Sequence, residues 1–339
     1  MWGTLRQGTF VGRGRELSVL TEQMEGAARA GGGVALVAGE PGIGKTRLLA
    51  ELGSHARVAG WTVLSGRAYD SEGMPPYLPF VEALRGAIRD GNHEHLRTQL
   101  GPAAAAVALL LPELRDLAPA LPEVPAIDPE QQRYRLFEAV SDAFEGIARN
   151  GETGLVLLLD DLHWADAPTL GLLRHLARRL DRMPMLVTAA YRTTEADTTG
   201  ALTETLAALA REGCRTTVVL RPLPLDETAA LAETIAGGRV AEPVVDAIQR
   251  ATEGNPFLIG EVVRNLQSQG HDLGDRAVAQ GEWAVPELVR QTTTARLSRV
   301  RPGTRDLLRH GAVLGDGFTF ELVRAMGGLR RAARARCAG

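Results

Sequence analysis

Five short apolar runs in the first two thirds of the chain predict buried β-strands. The runs lie at residues 34–38, 61–66, 155–159, 185–191 and 216–220. Most are continuous rather than alternating, which is typical of parallel strands covered on both faces. A segment with helical spacing, residues 16–30, precedes the first run, and further helical segments connect the runs. The pattern therefore predicts an α/β fold, with a five-stranded parallel sheet covered by helices.

Strand signals stop after residue 222, and the remaining segments predict only helices. Their helical spacing is found at residues 227–236, 243–251, 257–267, 286–299 and 303–313. Asp226 is expected to cap the first of them. We therefore predict a sheet domain at 1–222 with a helical insert at 70–150, a small all-helical domain at 223–300, and a further, incomplete region at 301–339.

Residues 39–46, which follow the first predicted strand, read Gly-Glu-Pro-Gly-Ile-Gly-Lys-Thr and match G-x-x-x-x-G-K-[ST]. The glycines let backbone N–H groups turn towards an anion, and the helix start adds its positive dipole end. Lys45, the single lysine of the chain, is predicted to act on the β- and γ-phosphates of ATP as a catalytic residue, and the Thr46 hydroxyl to bind Mg²⁺. The predicted ATP- or ADP-binding residues here are Gly39, Pro41, Gly42, Ile43, Gly44, Lys45, Thr46 and Arg47. The alternative, a chance glycine-rich turn, is disfavoured by the length of the motif and by its flanks.

Two adjacent carboxylates, Asp160 and Asp161, end the third predicted strand. Ligands of parallel α/β sheets bind at the carboxyl ends of strands. Asp160 is therefore predicted to hold Mg²⁺ together with Thr46, and Asp161 to orient or deprotonate the attacking water. The alternative is that the pair only caps the next predicted helix, 167–180. Arg192, which ends the fourth strand, is predicted to lie beside the γ-phosphate, with a surface ion pair as its alternative role.

Composition limits the classes of function. The chain has 339 residues, of which 45% are hydrophobic and 23% charged, and this suits two or three globular domains. Its net charge of −3 gives no global basic excess for direct binding of DNA. Cys214 and Cys337 lie far apart without metal-site spacing, which predicts free thiols. The N-terminus lacks an apolar signal core, and the longest apolar run, 103–111, is too short to span a membrane. We therefore expect a cytoplasmic protein without membrane partners.

Further motifs accompany the loop and the aspartate pair. They are Phe-Val-Gly-Arg-x-x-Glu at 10–16, Gly-Arg-Ala at 66–68, Leu-Asp-Asp-Leu-His-Trp-Ala-Asp at 159–166 and Gly-Asn-Pro-Phe at 254–257. Through them nearly the whole chain, from about residue 9 to about residue 325, resembles the STAND class of P-loop ATPases. More narrowly, it resembles the ATPase module of large ATP-binding LuxR-type transcriptional regulators, relatives of the maltose activator.

The resemblance implies further roles. Val11, Gly12 and Arg13 would line the adenine pocket with Glu16 nearby, and Asn255 and Pro256 would close over the nucleotide from a helical lid. ADP would hold the two domains closed, and ATP with an inducer would open them for self-association or for association with full-length regulators. Such regulators continue through a winged helix, a helical-repeat sensor and a helix-turn-helix. This chain is therefore expected to stop within a winged-helix-like region at 301–339.

The sequence thus predicts a slowly hydrolysing, Mg²⁺-dependent ATPase that acts as a signalling switch. Two alternatives stay open: a ring-forming AAA+-like remodelling ATPase, and a non-hydrolysing, nucleotide-bound scaffold that modulates full-length regulators. A P-loop kinase is disfavoured because the predicted lid offers no obvious acceptor-binding site.

Overall fold

The computed structural model describes residues 10–71, 73–90, 103–117, 121–122, 128–193, 200–211, 215–280, 303–305 and 308. The predicted helices at 286–299 and 303–313, the winged-helix-like region at 301–339 and both cysteines lie wholly or mostly outside these residues. Within the described ranges, no helix combines the length and the apolar character that crossing a bilayer requires.

In the first part of the described chain single helices alternate with strands, except between the second and third strands, where four helices follow one another. Helices alone follow the fifth strand. In chain order they are α1 Gly14–Ala30, β1 Gly33–Gly39, α2 Lys45–Val58, β2 Thr62–Arg67, α3 Leu78–Asp90, α4 Ala104–Val107, α5 Glu113–Leu117, α6 Pro129–Asn150, β3 Leu155–Asp160, α7 Ala167–Ala177, β4 Met185–Arg192, α8 Gly200–Arg211, β5 Arg215–Val219, α9 Leu225–Ala236, α10 Glu242–Thr252 and α11 Pro256–Ser268. Short 3₁₀ helices lie at Leu162–Trp164, Leu180–Arg182 and Arg276–Gln280.

The five strands form one parallel sheet in the order β2-β3-β4-β1-β5, so the predicted fold class is confirmed. Strand β4 lies between β1 and β3, although it follows both in the chain. The register places Gly39 of β1 beside Arg192 of β4, and Arg67 of β2 beside Asp160 of β3. The carboxyl ends of four strands therefore meet at one edge, where parallel α/β sheets bind ligands.

Both faces of the sheet are buried. In β1, Val34 and Leu36 belong to the cluster that includes Phe80 of α3 and residues of α6 and α7. Ala35 and Val37 belong to the opposite cluster, formed with residues of α1 and α2. Because successive side chains of a strand point to opposite faces, a strand covered on both sides is apolar at every position.

Helices α9 to α11 form a third apolar cluster, and we call these three helices the lid. The expected cap Asp226 is wrong, because α9 begins at Leu225 and Pro224 is its N-cap residue. Asp226 lies instead in the first turn, where its charge favours the helix dipole. The linker residue Leu223 belongs to the lid through a bond from its N–H to the carbonyl of Gly254, at 2.8 Å.

Candidate nucleotide-binding site

In the loop between β1 and α2, backbone carbonyls accept hydrogen bonds from the side chain of the lysine at its end. Gly42 and Gly44 have φ angles of 78° and 103°, a backbone conformation that residues other than glycine rarely adopt. The buried Lys45, first residue of α2, donates from Nζ to the carbonyls of Gly39 at 2.9 Å and Glu40 at 2.8 Å. The first turn of α2 adds its amide N–H groups and dipole to the ammonium charge, an arrangement that favours an anion. The binding of phosphate by these residues stays a prediction.

The two predicted magnesium ligands are in contact. The Thr46 hydroxyl donates to Oδ2 of Asp160 at 2.7 Å, and the N–H of Asp161 donates to Oδ1 at 3.0 Å. Asp160 is fully buried, and this burial, with the neighbouring charge of Asp161, raises its pKa despite the opposing effects of Thr46 and Arg67. A hydroxyl and a carboxylate are the oxygen ligands that Mg²⁺ prefers, and a cation would offset the cost of the buried charge. These residues therefore fit a magnesium ion.

Asp161 is engaged by an arginine that the sequence pattern does not single out as a site residue. Arg67, at the end of β2, donates from Nε to Oδ2 of Asp161 at 2.8 Å, and its Nη2 donates to the same oxygen. Burial opposes the charged guanidinium, but the bonds and charge of Asp161, with the charge of Asp160, outweigh it and raise the pKa of Arg67. Only the pairing of β2 with β3 reveals this contact, and the sequence does not state that pairing.

Asp166, not the aspartate pair, caps the helix that follows β3. Its side chain accepts a hydrogen bond from the N–H of Thr169 at 2.7 Å and lies directly before α7. The alternative reading of Asp160 and Asp161 as the cap of this helix is therefore wrong. Asp161 instead precedes the 3₁₀ turn Leu162–Trp164.

Arg192 lies at the same edge of the sheet as the loop. It ends β4 beside Gly39, the first residue of the loop, and its guanidinium lies 5.6 Å from the ring centroid of Trp164. A cation–π contact of this kind holds the charge near the carboxyl ends of the strands. Its action on a γ-phosphate stays a prediction.

The segment at 10–13 contacts both the loop and the linker to the lid. The buried Arg13 has a left-handed backbone with φ 63°, and its guanidinium donates to the carbonyl of Ile43 at 3.3 Å and to that of Arg221. A Cβ added to Gly12 would lie 2.5 Å from Oε2 of Glu227 in α9, so the two residues approach closely. The adenine-binding role of Val11, Gly12 and Arg13 stays a prediction.

Two more predicted residues hold this segment in place. Glu16 lies 3.2 Å from the guanidinium of Arg13, and the Arg47 guanidinium lies 5.9 Å from the ring centroid of Phe10. Arg47 thereby connects the first turn of α2 to the start of the described chain.

The last lid helix, α11, begins directly against the phosphate loop. Asn255 caps α11, since its Oδ1 accepts from the N–H groups of Phe257 at 3.1 Å and Leu258 at 3.4 Å. Its Nδ2 donates to the carbonyl of Pro41 in the loop at 3.1 Å, and the Phe257 N–H also lies 3.3 Å from the Gly42 carbonyl. Pro256 is the first residue of α11. The structure thus brings both predicted lid residues to the loop, and their contact with a nucleotide stays a prediction.

Comparisons with known proteins were made for the sequence and for the fold. Residues 9–188 match the family described as AAA ATPase domain. An uncharacterized protein of Rhizobium meliloti (strain 1021) is 28% identical over an alignment of 212 positions, and the alignment covers 56% of this chain and 19% of that protein. The chain thus spans about a fifth of the length of this relative.

Two solved structures illustrate the likeness in fold. The Walker-type ATPase of Pyrococcus abyssi is 15% identical with a TM-score of 0.56, over 95% of this chain and 85% of that one. The STAND protein with a tetratricopeptide repeat sensor from Pyrococcus horikoshii is 19% identical with a TM-score of 0.42, over 93% of this chain and 36% of that one. The first likeness supports the P-loop ATPase fold. Because the family match covers more than half of the chain and includes both the loop and the aspartate pair, the chain belongs to the AAA ATPase domain family.

Proposed function

We propose that this chain is a Mg²⁺-dependent ATPase of low turnover that serves as the switch module of a LuxR-type transcriptional regulator. The observation that carries the proposal is the 2.7 Å bond between Thr46 and Asp160 beside the glycine loop. It joins the hydroxyl of the phosphate loop to the buried carboxylate of β3, the two side chains that phosphoryl-transfer sites of this type use for the metal.

The other residues then take complementary roles. The loop amides and Lys45 would hold the β- and γ-phosphates, and Arg192 would stabilise charge on the γ-phosphate. Thr46 and Asp160 would hold Mg²⁺, whose charge would neutralise phosphate oxygens. Asp161 would orient the attacking water and accept its proton.

The contact between lid and loop supports the switch. A ligand shifts an equilibrium between two states only through interactions that differ between those states. Asn255 and Phe257 bond directly to the loop carbonyls of Pro41 and Gly42, so a change of loop conformation on nucleotide exchange reaches the lid without an intermediate residue. The LuxR context itself rests on the sequence resemblance.

Two substitutions test binding and hydrolysis separately. Lys45→Ala is expected to weaken ATP binding by about two orders of magnitude, since it removes the only loop ammonium. Asp161→Asn is expected to keep ATP affinity and to lower kcat by about 10²-fold or more, which is the contribution of a general base. Calorimetry measures the ATP affinity and phosphate release measures kcat, each with Mg²⁺ and with a chelator. Arg57→Ala is the control, because it removes an exposed cation from the far end of the same helix.

The outcomes also separate the alternatives. Unchanged ATP affinity in Lys45→Ala contradicts the proposed site. Tight nucleotide binding without phosphate release favours the non-hydrolysing scaffold. Turnover that rises steeply with protein concentration, together with ring-sized particles in light scattering, favours the remodelling ATPase, whereas ATP-dependent association with slow turnover supports the switch.

A further inference from the structure

The contact between Trp164 and Arg192 bears on how the site distinguishes ATP from ADP. We propose that Trp164 is a positioning residue that holds the Arg192 guanidinium at the carboxyl edge of the sheet, where a γ-phosphate reaches it. ATP then gains a contact that ADP lacks, and the strength of that contact depends on the tryptophan ring. The inference rests on the proposed action of Arg192 on the γ-phosphate and adds the residue that keeps Arg192 in place.

The two residues come from the ends of neighbouring strands. Strands β3 and β4 are paired, Arg192 ends β4, and Trp164 ends the 3₁₀ turn that directly follows Asp161. The Arg192 guanidinium lies over the Trp164 ring, 5.6 Å from its centroid. Arg192 also lies in register with Gly39, where the phosphate loop begins. The ring thus holds a cation between the loop and the segment after the aspartate pair.

The tryptophan is anchored on both sides along the chain. Its backbone N–H donates to the carbonyl of Asp161 at 2.9 Å, and its ring lies 4.9 Å from that of the buried His163, measured between centroids. Two residues later Asp166 caps α7 by accepting from the Thr169 N–H at 2.7 Å. The indole is therefore the fixed partner of the contact, and the long, flexible arginine side chain is the one that gains order from it.

A ring restrains a guanidinium in a way that suits phosphate binding. The attraction acts on the charge and occupies none of the N–H donors. An ion pair does occupy donors, as Arg67 shows by donating from Nε to Asp161 at 2.8 Å. A guanidinium held over a ring can still present its planar fork to phosphate oxygens. Because its side chain is already restrained, it loses less conformational freedom when the phosphate binds, and this favours affinity.

The surroundings of the ring allow its replacement. Trp164 is half-buried and lines a cleft of about 130 Å³ together with Tyr69, Met74 and Leu78. A smaller side chain at this position widens an open cleft and leaves no closed cavity, so the variants below are expected to fold.

The test compares ADP with a non-hydrolysable ATP analogue, each bound to the full chain with Mg²⁺ and measured by calorimetry. Trp164→Leu is expected to lower the affinity for the analogue about five- to tenfold, as the loss of a cation–π contact predicts, and to keep the ADP affinity within about twofold. Trp164→Phe keeps a ring with a weaker attraction for cations, so we expect a loss of about two- to threefold. A purely structural role of Trp164 predicts equal losses for the two nucleotides and would overturn the inference.

Tyr69→Leu is the matched control. It removes an aromatic ring from the same cleft, but the guanidinium that lies over that ring, at 6.0 Å, belongs to Arg67. The ratio of the affinity for the analogue to that for ADP is expected to equal that of wild type. A fall of this ratio as large as in Trp164→Leu contradicts a specific contact with Arg192.

The double variant Trp164→Leu/Arg192→Gln shows whether the ring acts through Arg192. Its affinity ratio is expected to equal that of Arg192→Gln alone, since coupled residues are not additive. A further fivefold fall in that background overturns the inference, as does an unchanged or higher ratio in Trp164→Leu. If Trp164→Leu does not fold, Trp164→Phe decides: a lower ratio supports the positioning role, and an unchanged ratio overturns it.

Failure of the inference can be distinguished from failure of the proposed function. If Arg192→Gln keeps the wild-type ratio, Arg192 does not act on the γ-phosphate, and the inference falls together with that part of the proposed function. If Arg192→Gln lowers the ratio while Trp164→Leu does not, only the inference about Trp164 falls.

Discussion

Asp160 carries a charge that its surroundings disfavour. Burial and the neighbouring Asp161 raise its pKa above the ordinary value of 3.8. Between that value and the higher pKa of the folded state, the folded protein binds more protons than the unfolded chain. Its stability therefore falls as the pH rises through this window, and it stays lower at neutral pH. The buried carboxylate thus lowers the stability of the fold at a position where a metal ion is expected.

Asp160→Asn is therefore expected to stabilise the protein in the absence of nucleotide and Mg²⁺. The amide oxygen can accept from the Asp161 N–H, and the amide nitrogen can donate to the Thr46 hydroxyl, so both contacts of the carboxylate have a substitute. At pH 7 we expect the free energy of unfolding to rise by about 1 kcal/mol. Thermal unfolding at pH 7 and pH 4 measures this, and the difference between variant and wild type should narrow at pH 4.

In the presence of Mg²⁺ and ATP we expect the opposite order, with Asp160→Asn at a disadvantage to wild type. Asp160→Asn is expected to lose the Mg²⁺-dependent gain in ATP affinity, because an amide oxygen is a weaker metal ligand than a carboxylate. Asp70→Asn, at an exposed position shortly after β2, should change stability by less than about 0.5 kcal/mol. A lower Tm of Asp160→Asn at pH 7 would show that the bond from Thr46 stabilises the loop more than the buried charge destabilises it.

At the scale of elements, β2 and α3 approach so closely that only glycine fits between them. A Cβ built on Gly66 would lie 1.7 Å from the carbonyl oxygen of Pro79, a backbone atom of α3. Gly66→Ala must therefore displace the helix or the strand, and we expect a loss of about 3 kcal/mol in the free energy of unfolding. Urea denaturation followed by circular dichroism measures the change.

Gly86 of α3, the helix that Gly66 approaches, supplies the matched substitution. Apart from its chain neighbours and the backbone of its own helix, no atom of the described residues lies within 4 Å of a Cβ built there. Gly86→Ala is therefore expected to raise stability by about 0.5–1 kcal/mol, because alanine loses less conformational freedom than glycine in a helix. Equal effects of the two substitutions would mean that α3 can move away from β2 at little cost.

The strands and the loop could be predicted because their signals are local. The apolar run at 34–38 became β1, Gly33–Gly39, since burial on both faces leaves no polar position. The run at 155–159 became β3 for the same reason, with Asp160 at its end. The start of α9 was not predicted correctly, because Asp226 is a favourable cap residue and Pro224 is not. The conformation of the linker before α9 determined where the helix begins. Cap preferences of single residues do not include that conformation.

The site was less predictable where it depends on contacts between distant segments. The approach of Thr46 to Asp160 follows from the motif, because strands of a parallel sheet end at one edge. The bond from Arg67 to Asp161 requires that β2 lie beside β3, and the bond from Asn255 to Pro41 requires the docking of the lid. Both depend on strand order and packing, which apolar periodicity does not encode.

At the scale of the whole molecule, the linker between the sheet domain and the lid is hydrogen-bonded to both parts. The carbonyl of Arg221 accepts a bond from Arg13 of the sheet domain, and Leu223 is bonded to the lid through Gly254. Pro222, between them, is the residue at which the attachment changes from one part to the other. Asn255 then provides a second contact between the two parts, at the loop itself.

ADP is therefore expected to stabilise the sheet domain and the lid together. At about 100 times its Kd, a ligand adds about 2.7 kcal/mol to the free energy of unfolding. Hydrogen exchange should show slower exchange in both β1 and the first turns of α11 when ADP is added. In Lys45→Ala, at the same ADP concentration, neither element should gain protection.

Asn255→Asp separates the docking of the lid from the capping of its helix. A carboxylate still accepts from the Phe257 N–H and favours the N-terminus of α11, so the helix keeps its cap. It cannot donate to the Pro41 carbonyl, and an oxygen replaces the amide nitrogen that lies 3.1 Å from it. We therefore expect ADP to protect β1 as in wild type and to protect α11 much less. Undiminished protection of α11 would instead assign the coupling to the contact between the Phe257 N–H and Gly42.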